Sequence, residues 1–231
     1  MSIDQVRRPE PGDVDQDVLD GQASYHRRAL TFYDLVVFRG SAPLFWRCSP
    51  RNFHRMYATC AGEKHLEVGV GTGYLLDHCP FPTPDPDITL VDLNPNTLAF
   101  TARRLKRYRV TQVQGNALEP LPVPDASYDS VALSFLLHCI PGSLREKGIA
   151  LRHAARAVKP GGYVFGSTIL SQGVPVTRAG RSLMDKLNAK GVFHNQEDSL
   201  EGLRDQLTEH FTDHDLVVRG CVGLWRARTA G

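Results

Sequence analysis

His65-Leu66-Glu67-Val68-Gly69-Val70-Gly71-Thr72-Gly73-Tyr74 is the stretch on which the reading of the fold turns. Residues 64–70 form a short apolar run of strand character that ends in glycines at alternate positions, and residues 73–78 then read as a helix. Glycine lets the backbone turn sharply and lets a ligand approach it closely, and the helix start beyond offers unpaired N–H groups. The spacing is Glu-x-Gly-x-Gly-x-Gly. It is not the Gly-x-Gly-x-x-Gly of dinucleotide-binding proteins, whose helix start seats a pyrophosphate. Glu67 closes the strand and points into the loop. A carboxylate there repels a diphosphate and suits a ligand carrying positive charge. Both features disfavour a nicotinamide-dependent oxidoreductase.

Downstream, residues 88–93, 110–114, 128–134 and 163–170 read as further strands, separated by helices over 96–108 and 143–158. Asn94-Pro95 opens the second helix, with proline at the first-turn position it tolerates. Lys159-Pro160-Gly161-Gly162 stops the third. Strands alternating with helices predict βαβ units and a mostly parallel sheet. Farther on, 181–190 and 199–211 read as helices, and 215–219 and 221–228 as strands joined near Gly220. That joint predicts an antiparallel hairpin at one edge. Asp92 ends the second strand, at the spacing where an acid accepts hydrogen bonds from ribose hydroxyls. It can equally cap the helix opening at Pro95; the glycine loop ahead of it favours ribose. Asn116, after the third strand, carries an amide able to read an adenine edge.

The chain has 231 residues, 42% apolar and 23% charged, an ordinary globular composition that excludes a collagen, a disordered tail or a coiled-coil rod. No uncharged apolar run approaches the roughly 18 residues of a membrane span. The formal charge is +2, so no overall field demands nucleic acid or an anionic membrane. The five cysteines are scattered and odd in number, which fits a reduced cytoplasmic interior, and no metal-ligand cluster is visible. Residues 1–20 read as a polar arm and not a secretory signal. Residues 21–60 carry Tyr25, His26, Tyr33, Phe38, Phe45 and Trp46 at helical spacing. Trp46 reads as core, while Tyr25 and Tyr33 divide between core and a lid whose aromatic faces attract a cation. The basic run Arg103, Arg104, Lys106, Arg107 and Arg109 reads as a solvated helix face in preference to an RNA grip.

Taken in order, Glu67 to Gly73, Asp92, Asn116-Ala117, Tyr128-Asp129 and Ala157-Val158-Lys159-Pro160-Gly161-Gly162 resemble the successive motifs of class I S-adenosylmethionine-dependent methyltransferases. The resemblance spans roughly residues 60–170. It implies an α/β, Rossmann-like fold: a seven-stranded, mostly parallel sheet in the order 3-2-1-4-5-7-6, its last strand antiparallel, with helices on both faces and N-terminal lid helices. The domain then divides into a helical lid (21–60), a cofactor-binding core (61–170), an acceptor-side insert (171–198) and a C-terminal helix and hairpin (199–231). The resemblance implies S-adenosyl-L-methionine as cofactor. By position, Gly69, Gly71, Thr72 and Gly73 would face its methionine moiety and Glu67 its ammonium. Asp92 would hold the ribose, Leu93 would pack on the adenine, and Asn116 with Ala117 would meet the adenine amine. Ser134 and Phe135 would lie near the transferred methyl. Tyr25, Tyr33, His194 and Asn195 would line the acceptor side.

His138 lies just past the fourth strand's carboxyl end, where ligands bind in open α/β sheets. Its ordinary pKa suits a general base; the other reading is a histidine satisfied by backbone. Ser134-Phe135-Leu136-Leu137-His138 lacks the Asn/Asp-Pro-Pro-aromatic signature of the amino-methylating DNA, RNA and protein-glutamine enzymes. The acidic metal ligands of catechol-type enzymes are absent as well. The expectation is a metal-independent methyltransferase acting on O, N or C of a small molecule in secondary or quinone-like metabolism, a monomer or homodimer without nucleic-acid or membrane partners. An RNA or protein methyltransferase and a non-methylating cyclase that keeps the cofactor are the alternatives.

Overall fold

A computed structural model describes residues 44–229. Tyr25, Tyr33, His26 and Phe38 lie outside the described residues. In chain order the elements are α1 (Pro50–Cys60), β1 (Lys64–Val68), α2 (Tyr74–Asp77), β2 (Asp87–Asp92), α3 (Pro95–Arg104), β3 (Arg109–Gln114) and β4 (Tyr128–Ser134). A one-turn 3-10 helix (Leu137–Cys139) leads to α4 (Leu144–Lys147), α5 (Ile149–Ala157), β5 (Val158–Ile169), α6 (Arg178–Ala189), α7 (Leu200–His210), β6 (Asp213–Arg219) and β7 (Val222–Arg228).

The seven strands form one sheet in the order β3-β2-β1-β4-β5-β7-β6. β1 to β5 pair in parallel, and β7 runs antiparallel to both β5 and β6. This is the predicted topology, terminal hairpin included. Period-two alternation divides the strand side chains between two cores. Ile88, Leu90, Ala132, Phe165, Val222 and Leu224 face one side, where they meet Phe53 and Tyr57 of α1, Leu75 and Leu76 of α2, Leu98 of α3, Met184 of α6, and Trp46. Leu66, Val68, Val131, Leu133, Val164 and Trp225 face the other, against α5 and against Leu203 and Leu207 of α7. Trp46, read as core, is 2% exposed. No helix among the described residues is long and apolar enough to cross a membrane.

The boundary differences have local causes. The predicted helix over 143–158 is divided at Gly148, where α7 crosses so closely that an added Cβ would stand 1.7 Å from Gln206 Oε1. The helix predicted over 96–108 ends at Arg104, because Tyr108 N–H turns back onto Leu105 O to feed β3. Pro95 opens α3 as predicted, with Asn94 as N-cap accepting from Asn96 N–H at 2.9 Å.

Candidate functional site

The carboxyl ends of β1, β2 and β4 surround a cleft enclosing about 850 Å³ of empty space, its open mouth included. Glu67, Gly69, Gly71, Thr72, Gly73, Asp92, Ser134 and Phe135, all singled out from the sequence, stand on its wall. The loop from Gly69 to Gly73 is made by three glycines in the left-handed region, at φ 75°, 51° and 70°. A Cβ on Gly73 would strike Thr101 Cγ2 at 2.5 Å, whereas one on Gly71 would meet nothing within 4 Å. Packing therefore requires glycine at 73. At 71 the missing side chain leaves open space beside the backbone, a cradle that a Cβ would fill.

The loop is braced from α3. Thr101 Oγ1 donates to Gly71 O at 3.0 Å, and Arg104 Nη1 to Thr72 O at 2.7 Å. Arg107 pairs with Asp77 and Arg109 with Asp85. Four of the five basic residues are exposed, Arg104 being half-buried, and Arg104, Arg107 and Arg109 pair with neighbouring turns.

Asp92 is not the cap of α3. Its Oδ2 accepts from Val70 N–H at 3.0 Å and its Oδ1 from Asn94 N–H at 2.9 Å, which ties the glycine loop to the start of that helix. Burial raises its carboxyl to about 6, with backbone donors from Asn94, Val70, Leu93 and Gly71 acting against the rise. Glu67, buried at the end of β1, accepts from Tyr57 Oη at 2.7 Å and lies 3.1 Å from His65 Nε2.

β4 ends at Ser134, and Phe135 then adopts φ 58°. For a bulky residue this left-handed conformation costs about 1–2 kcal/mol. It is held by Phe135 N–H donating to Ser167 O at 2.8 Å and by the ring's stacking on Phe53, 4.8 Å away. The 3-10 helix that follows puts Leu136 and Cys139 on the cleft wall.

Six of the expected site residues are not on the lining of this cleft. His138 is 2% exposed and lies behind the wall, its ring 4.6 Å from that of Phe193 and 5.9 Å from that of Phe135. Its Nδ1 is 3.4 Å from both Ile169 N–H and Thr168 Oγ1. Burial, assisted by the Lys147 charge, lowers its pKa to about 3, far from the near-neutral value a general base needs. Asn195 is fully buried, with its amide consumed by Ile169 O and Asn188. The His194 backbone accepts from Lys147 Nζ and donates to His138 O, and the residue is half-buried. Leu93, Asn116 and Ala117 do not line the cleft: Asn116 Oδ1 accepts from Leu118 N–H in a turn, Leu93 O accepts from Gln114 Nε2, and Ala117 packs on the second core. Asn94, Thr97, Tyr74, Leu136 and Cys139 line it instead, none of them expected from the sequence. Asn94 and Thr97 were findable, since they open the helix that follows Asp92.

A left-handed glycine cradle flanked by two carboxylates suits a cationic ligand better than a diphosphate. A family model described as a methyltransferase domain matches residues 66–164. The chain belongs to the class I S-adenosylmethionine-dependent methyltransferases. Among its relatives, demethylluteothin O-methyltransferase of Streptomyces thioluteus is 61% identical over 216 residues, covering 94% of each chain. Two solved structures share the fold. An O-methyltransferase family protein from Burkholderia thailandensis has a TM-score of 0.66 at 19% identity, over 91% of this chain and 62% of that one. Phosphoethanolamine N-methyltransferase 2 of Haemonchus contortus, in complex with S-adenosyl-L-methionine, also has a TM-score of 0.66, at 14% identity over 95% of this chain and 61% of that one.

Proposed function

We propose that this methyltransferase methylates a hydroxyl oxygen of a small secondary metabolite. The observation that carries the reading is the 61% identity, over 94% of both chains, to an O-methyltransferase named for a small-molecule acceptor. When bound, S-adenosylmethionine supplies an electrophilic methyl on a sulfonium, and displacement there disperses charge without creating it.

This chain's residues have alignment and exclusion of water as their main work. Fixing two reactants in line can supply on the order of 7–11 kcal/mol of the barrier. The Gly71 cradle would seat the ligand's chain against the backbone. Glu67 would face the ammonium, and Asp92 would accept from the ribose hydroxyls. Ser134 and Phe135 would bound the methyl, the aromatic ring favouring a cation in the cleft. The acceptor hydroxyl must lose its proton, and His138 is not assigned that task because its ring is neutral and faces Phe193.

The test is incubation of the purified protein with methyl-labelled cofactor and a panel of phenols, enols and amines, with products resolved by mass and NMR. Label on a hydroxyl oxygen is the expected result. Transfer to nitrogen or carbon alone would overturn the oxygen assignment, and transfer to RNA or protein alone would overturn the small-molecule one.

Asp92 supplies a second check. Asp92→Ala should weaken S-adenosylhomocysteine binding by roughly 1.5–3 kcal/mol, the worth of hydrogen bonds to a charged acceptor. The carboxyl sits at about 6, and hydroxyl donors favour its ionised form. Affinity should therefore be level above that pH and fall as pH drops through it. Asp92→Asn should lose the step. Calorimetric titration across this range measures both, and an unchanged affinity in Asp92→Ala would remove Asp92 from the site.

A further inference from the structure

On the α1 side of the sheet a chain of buried polar groups leads into the cleft. Gly62 N–H donates to Ser130 Oγ at 2.8 Å, Ser130 Oγ lies 2.7 Å from His65 Nδ1, His65 Nε2 lies 3.1 Å from Glu67 Oε2, and Tyr57 Oη donates to Glu67 Oε1 at 2.7 Å. His65 and Ser130 are wholly buried, and Tyr57 is 1% exposed. One proton arrangement gives every link a donor and an acceptor. Ser130 Oγ accepts from Gly62 and turns its own proton to His65 Nδ1, so the imidazole proton sits on Nε2 and is donated to Glu67. Burial, and next the nearby Glu67 charge, hold the Tyr57 phenol well above its ordinary pKa, so it remains a donor. The rings themselves are fixed: Tyr57 stands edge-on to Phe165 at 5.0 Å, and His65 lies 5.9 Å from the same ring.

The consequence falls on Glu67. Each of its oxygens receives one interior donor, and each keeps a lone-pair direction in reserve. Among the described residues, no Lys or Arg is paired with it. The two interior bonds fix the orientation of the carboxylate on the wall of the cleft it lines.

We propose that Tyr57 and His65 are positioning residues that hold the Glu67 carboxylate aimed into the cleft, and thereby make the site selective for nucleosides bearing an α-ammonium. This rests on the cofactor reading of the cleft and adds residues outside the span of the family model, Tyr57 on α1 and His65 one residue before that span. Tyr57→Phe removes one hydroxyl and keeps the ring packed on Phe165.

The experiment is calorimetric titration of wild type, Tyr57→Phe and His65→Gln with two ligands. S-adenosylhomocysteine carries the amino-acid end; 5′-methylthioadenosine keeps the nucleoside and thioether but lacks that end. Tyr57→Phe should weaken S-adenosylhomocysteine by about tenfold or more, the worth of a hydrogen bond to a charge, and leave methylthioadenosine within about twofold. His65→Gln should show the same selective loss, and it carries the test if Tyr57→Phe does not fold. Equal losses for both ligands, or no loss for either, would overturn the proposal while leaving the cofactor reading intact. A wild type that binds neither ligand would overturn both.

Discussion

Lys147→Met is expected to lose about 3–5 kcal/mol of folding stability at neutral pH, the cost of stranding the other half of a buried ion pair. Lys147 and Asp198 side chains are both 0% exposed. The ammonium donates to Asp198 Oδ1 at 2.7 Å, to Asp198 Oδ2 at 3.0 Å and to His194 O at 2.7 Å, so its three protons are all used. Burial raises the Asp198 carboxyl to about 6 against the pull of the Lys147 charge, and lowers the Lys147 ammonium. The sign of the pH dependence follows. A folded-state carboxyl above the unfolded value of about 3.9 binds more protons in the folded protein, so stability falls as pH rises between the two values. In the wild type that window closes at about 6. Without the ammonium it extends upward, so the deficit of Lys147→Met should grow by up to about 1.4 kcal/mol for each pH unit gained. Adding Asp198→Leu should restore most of the loss and flatten the pH dependence, since a well-packed apolar pair can replace a buried ion pair. His194 O remains without its donor, which keeps the recovery incomplete. Urea melts of the three proteins at about pH 6 and about pH 8 decide it. Wild-type stability in Lys147→Met would show that the pair holds nothing.

What the sequence revealed and what it hid divide along the range of the interactions. The glycine loop, Asp92 and the order of strands are written in short spans: alternate glycines, a strand-ending acid, and turn residues such as Asn94-Pro95 and Gly220. The Lys147–Asp198 pair joins residues 51 apart, and no local pattern marks either as buried. The Tyr57 bond to Glu67 crosses from a helix that the glycine motif does not include. His138 was misplaced for a different reason. The end of β4 at Ser134 was read correctly, but the chain then passes through a left-handed Phe135 into a single 3-10 turn. That turn brings Phe135, Leu136 and Cys139 to the cleft and sends the ring of His138 inward, toward Phe193. Left-handed backbone at a phenylalanine has no sequence signature, because the surrounding packing imposes it.

Gly71 and Gly73 should respond to one substitution in different ways. Asparagine is the side chain that tolerates the left-handed region best after glycine, so Gly71→Asn and Gly73→Asn carry a similar backbone strain at φ 51° and φ 70°. What differs is the space. At 71 the new Cβ meets nothing within 4 Å, and the amide beyond it fills the cradle on the cleft wall. Close approach of backbone to ligand is what glycine provides in such loops, so the variant should fold normally and lose S-adenosylhomocysteine affinity by about 100-fold or more, equivalent to roughly 2.7 kcal/mol. At 73 the new Cβ stands 2.5 Å from Thr101 Cγ2. Thr101 cannot rotate away freely, because its hydroxyl is engaged with Gly71 O at 3.0 Å. Overpacking of this kind costs about 1–3 kcal/mol, and moving Thr101 releases the brace on the loop. Gly73→Asn should therefore lower the melting temperature, with binding weakened as a secondary effect. Thermal melts and calorimetric titrations of the two variants read both quantities. If Gly71→Asn kept its affinity, the ligand would not lie against the loop, and the cleft would have to be read another way. If Gly73→Asn melted like the wild type, the contact with α3 would be looser than the 2.5 Å approach requires.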